Sequence, residues 1–160
     1  MAPSWTQYRK EGKLSEDAQL KKLGLLVVDD EAEIVGSLGE MFAEHFELHR
    51  CTSGREALEV FKEHSPKIIL SDQRMPEMSG LELFKELKEI DPSTVRILVT
   101  GYSDINVVIE ALNEGLIWKY VTKPWDHEEF RQLVLQSARH YLKENGLPED
   151  QFALKGFMGF

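Results

Sequence analysis

The sequence predicts an α/β domain, a parallel sheet with helices packed on both faces. Two observations carry that class. Short apolar runs alternate five times with amphipathic stretches, without internal repeat, which is how strand–helix units build a parallel sheet. The runs Leu25-Leu-Val-Val28 and Ile68-Ile-Leu70 are apolar at every position, as strands buried on both faces are.

Each element follows from local signals. After the first run, Asp30 and Glu31 open a helix with Ile34, Leu38, Met41 and Phe42 at helical spacing. Gly36 and Gly39 weaken it by up to ~1 kcal/mol each, so packing must hold it. Glu47-Leu-His-Arg-Cys51 is polar enough for an edge strand. The next helix starts at Ser53, turns Ala57, Leu58 and Phe61 inward, and is followed by Pro66. The strand Ile68–Asp72 ends on a carboxylate and exits through Pro76 and Gly80. Leu83, Phe84 and Leu87 mark a third helix, stopped at Asp91-Pro92. Val95–Thr100 is the fourth strand, and Ser103 or Asp104 caps a helix that runs through Asn113 and Gly115. Ile117–Val121 is the fifth strand. The last helix runs from Asp126 to about Asn145, with Asp126 as N-cap and Glu129 placed to complete a capping box.

These elements occupy residues 23–145. Residues 1–22 are polar and read as an arm or tail. Residues 146–160 read as an apolar tail or truncated linker carrying Phe152, Leu154, Phe157, Met158 and Phe160. A flexible end is the plainer reading of that segment; docking on its own domain or on a partner is the sharper one. Too few residues follow position 145 for a DNA-binding or cyclase domain, so a stand-alone or excised domain is expected.

Composition narrows the function classes. The 160 residues carry 19 Lys and Arg against 28 Asp and Glu, a net charge of −9. Direct nucleic-acid binding needs clustered cations, and this balance argues against it. The single Cys51 excludes an internal disulfide and a CxxC metal pair, and reads as a small core or strand-edge residue. No apolar run approaches the ~18 residues needed to span a bilayer, and no signal-peptide segment is present. A cytoplasmic location is expected.

Parallel strands end on one edge of the sheet, so the residues just after them converge. The first strand delivers Asp29 and Asp30, the third Asp72, the fourth Thr100, and the fifth is followed by Lys123-Pro124. Alone, Asp72 has a bland reading as a loop cap. Together, three carboxylates repel one another and raise one another's pKa, an arrangement that a hard divalent cation such as Mg2+ relieves. An ammonium and a hydroxyl beside them suit an incoming phosphoryl group. No His falls at these strand ends to act as a base, so the natural chemistry is attack by a carboxylate on phosphorus, giving an aspartyl-phosphate.

The set Asp29-Asp30, Asp72 with Met75-Pro76 and Gly80, Thr100-Gly101, and Tyr120-Val-Thr-Lys123-Pro124 resembles the receiver domain of bacterial two-component response regulators. The resemblance covers roughly Leu23 to Lys143, with five motifs in order. It implies a flavodoxin-like, doubly wound five-stranded parallel sheet of strand order 2-1-3-4-5. It also implies that Asp72 is the phosphoacceptor, that Asp29, Asp30, Asp72 and the backbone carbonyl of Arg74 form the Mg2+ site, and that Thr100 and Lys123 bind phosphoryl oxygens. Thr100 moves to do so, Tyr120 is the aromatic whose rotamer reports the movement, and the Lys123–Pro124 bond is cis. Arg74 and Tyr102 are expected to flank the pocket mouth, shield the acyl phosphate from water and tune its lifetime.

The implied partners are a sensor histidine kinase or phosphotransfer protein as donor, and an output domain or partner protein. The latter is read by the face of the fourth helix, fifth strand and fifth helix. A homodimer is compatible with the sequence; a membrane or nucleic-acid partner is not expected, nor is turnover of outside substrates. Trp118 and Trp125 lie near that face, one expected packed and the other partly exposed. Two rival readings stand beside this one: a phosphorylation-independent docking module of the same fold, and a haloacid dehalogenase-like phosphatase. The latter wants a second acid two residues after the nucleophile, where this chain has Arg74.

Overall fold

The runs of Leu, Ile and Val that open the sheet leave no polar face, and the chain buries them from both sides. The computed structural model describes residues 21–154; residues 1–20 and 155–160, with Phe157, Met158, Phe160 and most of the expected N-terminal arm, lie outside the described residues, as does the side chain of Tyr102. The strands are β1 (Leu23–Val28), β2 (Phe46–Cys51), β3 (Ile68–Asp72), β4 (Val95–Thr100) and β5 (Lys119–Thr122). The helices are α1 (Ala32–Phe42), α2 (Gly54–His64), α3 (Gly80–Ile90), α4 (Ile105–Asn113) and α5 (His127–Glu144). All strand pairs are parallel, in the order β2-β1-β3-β4-β5, the order that the family resemblance implies.

The two-residue period of the strands divides the core into two layers. Leu25, Val27, Ile68, Leu70, Ile97 and Val99 face α1 and α5, where they meet Val35, Leu38, Phe42, Phe130, Val134 and Ala138. Leu26, Val28, Ile69 and Leu98 face α2, α3 and α4, against Ala57, Phe61, Leu83, Phe84, Leu87 and Val108. Cys51 is buried in this second layer, where burial pushes its thiol up to about 12. Its place is that of a small core residue.

Several local details differ from the sequence reading. β5 begins at Lys119 rather than Ile117, because the buried Arg96 guanidinium takes the carbonyls of Leu116 (2.7 Å) and Gly115 (3.4 Å) and holds that stretch as a turn. Asp126 caps α5 by accepting from Glu129 N at 2.9 Å, but the reciprocal bond that would complete a box is not formed. The complete capping box is at α3, where Ser79 and Glu82 exchange bonds of 3.1 Å. Asp104 precedes α4 without capping it, since its carboxylate is engaged elsewhere. Trp118 and Trp125 are both half-buried, the first stacked on His140 and the second edge-on to Phe130, so the expected contrast between them is not seen. The Lys123–Pro124 peptide is cis.

The chain stays on the domain after α5. Phe152 and Leu154 are buried in the layer under α1 and α5. Backbone bonds of 2.9 Å join Lys21 N to Gln151 O and Ala153 N to Lys21 O, and His45 Nδ1 meets Ala153 O at 3.0 Å. Within the described residues this part of the apolar tail packs on its own domain rather than running free. The flanking polar backbone finds partners there, which a buried segment requires.

One glycine ties the fold to the edge where β3 ends. A Cβ on Gly80 would lie 2.5 Å from the carbonyl oxygen of Asp72 and 2.8 Å from Leu98 Cδ1. The first residue of α3 therefore rests directly on the backbone of Asp72. By contrast, the atoms nearest a Cβ on Gly39 would be those of the Arg50 guanidinium, the movable end of a long side chain. Gly80→Ala is expected to lose about 1–3 kcal/mol in urea denaturation, as overpacking against fixed atoms does, whereas Gly39→Ala is expected to be close to neutral.

Candidate functional site

The convergence expected from parallel strands is present at the carboxyl edge of the sheet. Asp29 and Asp72 are 2% and 8% exposed, Thr100 is buried, and Asp30 lies open to solvent. Carboxylate oxygens of Asp29, Asp30 and Asp72 lie within 4.8 Å of one another. Lys123, delivered just after β5, places Nζ 3.1 Å from Asp72 Oδ1 and 3.3 Å from Asp29 Oδ2. The other oxygen of Asp29 accepts from Glu31 N at 2.9 Å, which fixes the carboxylate against the start of α1. Asp30, Asp72, Thr100 and Lys123, with Gln73, Arg74, Gly101, Ser103 and Asp104, line an open cleft of about 320 Å³.

The electrostatics are unbalanced. Burial raises the Asp72 carboxyl above the usual carboxylate range; the hydrogen bond from Lys123 works against this, and the charges of Asp29 and Asp30 add to it. Burial by itself would lower the Lys123 ammonium, but its bonds to Asp72 and Asp29 outweigh that and raise it. Of the three carboxylates, Asp29 and Asp72 share the Lys123 ammonium. The donor set is all oxygen, partly solvent-open and short of positive charge, which fits a hard divalent cation of the Mg2+ type.

Sequence reasoning placed Arg74 at the pocket mouth but missed its partner. Its largely exposed guanidinium grips Asp104 with two bonds, Nε to Oδ2 and Nη2 to Oδ1, each 3.1 Å, and Nη2 also reaches Ser103 Oγ at 3.1 Å. Thr100 donates its hydroxyl to the same Asp104 carboxylate at 3.3 Å. Arg74 holds Asp104 below the usual carboxylate range, with Thr100 assisting. One carboxylate thus links the loop after β3 to the hydroxyl at the end of β4. The only sequence signal for Asp104 was its place as a candidate helix cap. Gln73 was also missed; its side-chain oxygen accepts from Leu81 N at 3.0 Å and pins the loop to α3. Tyr120 is half-buried against the layer under α2 to α4. It also lines a groove of about 490 Å³ with Ile105, Trp125, Phe130 and Leu133. Tyr102 contributes backbone to a single 3-10 turn, and its side chain lies outside the described residues.

Fold and site together define a class, the doubly wound α/β domains with an acidic cleft at the carboxyl edge of the sheet. Residues 25–135 match the family model described as response regulator receiver domain, and the chain belongs to that family. It is 35% identical over 136 residues to the hydrogenase transcriptional regulatory protein HoxA of Cupriavidus necator, covering 84% of this chain and 27% of that protein. It is 38% identical over 125 residues to the regulatory protein AtoC of Escherichia coli, covering 74% of this chain and 27% of that one. The chain therefore spans about a quarter of the length of these relatives. Among solved structures, the signal receiver domain of an HD domain-containing protein from Pseudomonas fluorescens superposes with a TM-score of 0.72 at 29% identity. That likeness covers 77% of this chain and 99% of that one. Within the described residues no helix is long and apolar enough to cross a membrane.

The raised carboxyl of Asp72 has a sign that thermodynamics can read. Its folded pKa lies above the unfolded value, so the native state is penalised as pH rises from about 3.8 through the folded value. Without divalent cations, Asp72→Asn is expected to raise the melting temperature at pH 7. The gain should shrink to nothing below pH ~3.8, where the carboxyl is protonated folded and unfolded alike. Thermal melts in EDTA across that range check it.

Proposed function

We propose that this chain is a phosphoacceptor receiver of a two-component phosphorelay. The observation that supports it best is the Lys123 ammonium lying 3.1 Å from Asp72 and 3.3 Å from Asp29 beside an all-oxygen acidic cluster. An oxygen of Asp72 attacks phosphorus of a phosphohistidine on a kinase or phosphotransfer protein. The O–P bond forms as the N–P bond breaks, and the electron pair leaves on the imidazole. Asp29, Asp30, Asp72 and the backbone carbonyl of Arg74 would hold Mg2+, which when bound neutralises charge on the transferring group. Lys123 turns from pairing carboxylates to binding a phosphoryl oxygen, and Thr100 exchanges its Asp104 partner for another phosphoryl oxygen.

That exchange gives Arg74 a different route to its tuning role from simple cover. By holding Asp104, it keeps an acceptor in place for the Thr100 hydroxyl, and so weighs the resting arrangement against the phosphorylated one. Tyr102 is proposed to share that tuning role. Movement of Thr100 and Tyr120 would alter the α4–β5–α5 face, which carries the groove lined by Tyr120 with Ile105, Trp125 and Leu133. That face is the proposed contact for an output domain or partner protein, or for a second copy of the chain. The relatives are named as regulators rather than enzymes, and this chain is read the same way, as a cytoplasmic switch without direct nucleic-acid contact. A docking module that ignores phosphorylation is the alternative, and the same face would serve it.

Incubation with acetyl phosphate and Mg2+ is expected to add one labile phosphoryl mass, absent in Asp72→Asn and slowed roughly a hundredfold in Lys123→Ala. Absence of the mass in the unaltered chain, with no beryllofluoride response in Trp fluorescence, would favour the docking module. Arg74→Ala and Asp104→Asn are both expected to change the dephosphorylation rate; unchanged rates in both would remove the tuning role.

A further inference from the structure

At the carboxyl end of α2, beside the edge strand β2, a second group of ligating side chains has different donors. Glu47 and His49 are two apart on β2, so they project from the same face of the edge strand. His64 is the last residue of α2 and lies against them. The imidazoles of His49 and His64 stack at 4.5 Å with planes 26° apart, and His49 Nε2 is 3.2 Å from Glu47 Oε1. One donor atom from each of the three residues falls within a span of 4.8 Å. Among the described residues this and the aspartate cluster are the two groups so arranged.

We propose that Glu47, His49 and His64 form a binding site for a borderline divalent transition-metal cation of the Zn2+ class. Two imidazole nitrogens and one carboxylate oxygen are the donors that such ions prefer, whereas Mg2+ asks for oxygen throughout. Ligands about 2.0–2.2 Å from a common ion stand roughly 3.3 Å apart. The Glu47–His49 pair is already at that spacing. His49 is the fixed member, its side chain 13% exposed, while Glu47 at 62% and His64 at 41% have room to turn toward it. Glu63 Oε1, 3.8 Å from His64 Nε2, adds negative charge beside the ion. Three protein ligands leave a fourth position for water. A bound ion joins the edge strand β2 to the end of α2, adding to the His49–His64 stack between them.

The test uses the whole chain, stripped with EDTA and titrated with Zn2+ by calorimetry in millimolar Mg2+, with Co2+ as the optical probe. One saturable Zn2+ site is expected, together with the visible bands of four-coordinate cobalt. His49→Ala and His64→Gln should each weaken binding at least about tenfold, while His127→Ala, at an exposed position away from the cluster, should leave it unchanged. His64→Gln changes an exposed helix end, so it reports on the site even if His49→Ala perturbs folding. Absence of saturable binding, or equal affinity in the unaltered chain and His64→Gln, overturns the proposal. Zn2+ held instead by the aspartate cleft gives that second result, because it survives the loss of His64. The outcome does not depend on whether Asp72 accepts phosphate.

Discussion

The crowding of like charge where the strands of a parallel sheet end is the constraint on which the rest of this structure depends. β1 and β3 are neighbours, so Asp29, Asp30 and Asp72 cannot separate without dismantling the centre of the sheet. Hydrophobic burial on both faces holds them there; every residue of β3 is buried. The Lys123 ammonium compensates one of the charges and bonds to two of the carboxylates. The remainder is negative charge that no neighbouring cation among the described residues is shown to compensate. A fully neutralised cluster would have been more stable and less able to respond, a trade often seen at functional sites.

Rigidity is distributed unevenly around that edge. The β3–α3 side is built with little slack: Gly80 touches the Asp72 carbonyl, Gln73 bonds to Leu81 N, and Ser79 with Glu82 closes a capping box. On the β4–α4 side the connecting loop is tied by Asp104 between Arg74 and Thr100, ahead of an α4 whose first turn has no side-chain cap. Interactions between exposed charges are weak and exchangeable compared with packed cores. Asp72 therefore sits on the tightly packed side, and the Thr100 hydroxyl on the side held by exchangeable contacts. The Tyr120 groove, lined in part by Ile105 of α4, lies on that same side.

Much was legible in the residues themselves. Continuous apolar runs marked β1 and β3 because burial on both faces leaves no polar position, and the alternation of runs with helical stretches set the architecture. Asp29, Asp30, Asp72, Thr100 and Lys123 could be grouped because parallel strands end on a common edge, a rule that needs no coordinates. Misreadings occurred where a local signal competed with a distant partner. Ile117 and Trp118 have strand-like side chains, but Arg96 claims the carbonyls of Gly115 and Leu116 just before them. Glu129 has the spacing of a capping box without its second bond, and Asp104 has the chemistry of a cap but is drawn off by Arg74 and Thr100.

What the sequence determined by itself is the class of fold, the set of groups brought to the carboxyl edge, and their family. These depend on periodicity and on side-chain type, both of which are local properties. Only the tertiary structure decided which of those groups pair: Lys123 with Asp72 and Asp29, Arg74 with Asp104, His49 with Glu47 and His64. It alone decided that Phe152 and Leu154 return to the core under α1 and α5. Such pairings join residues far apart in the chain, and their geometry depends on how helices pack on the sheet. No pattern along the chain encodes a distance across it.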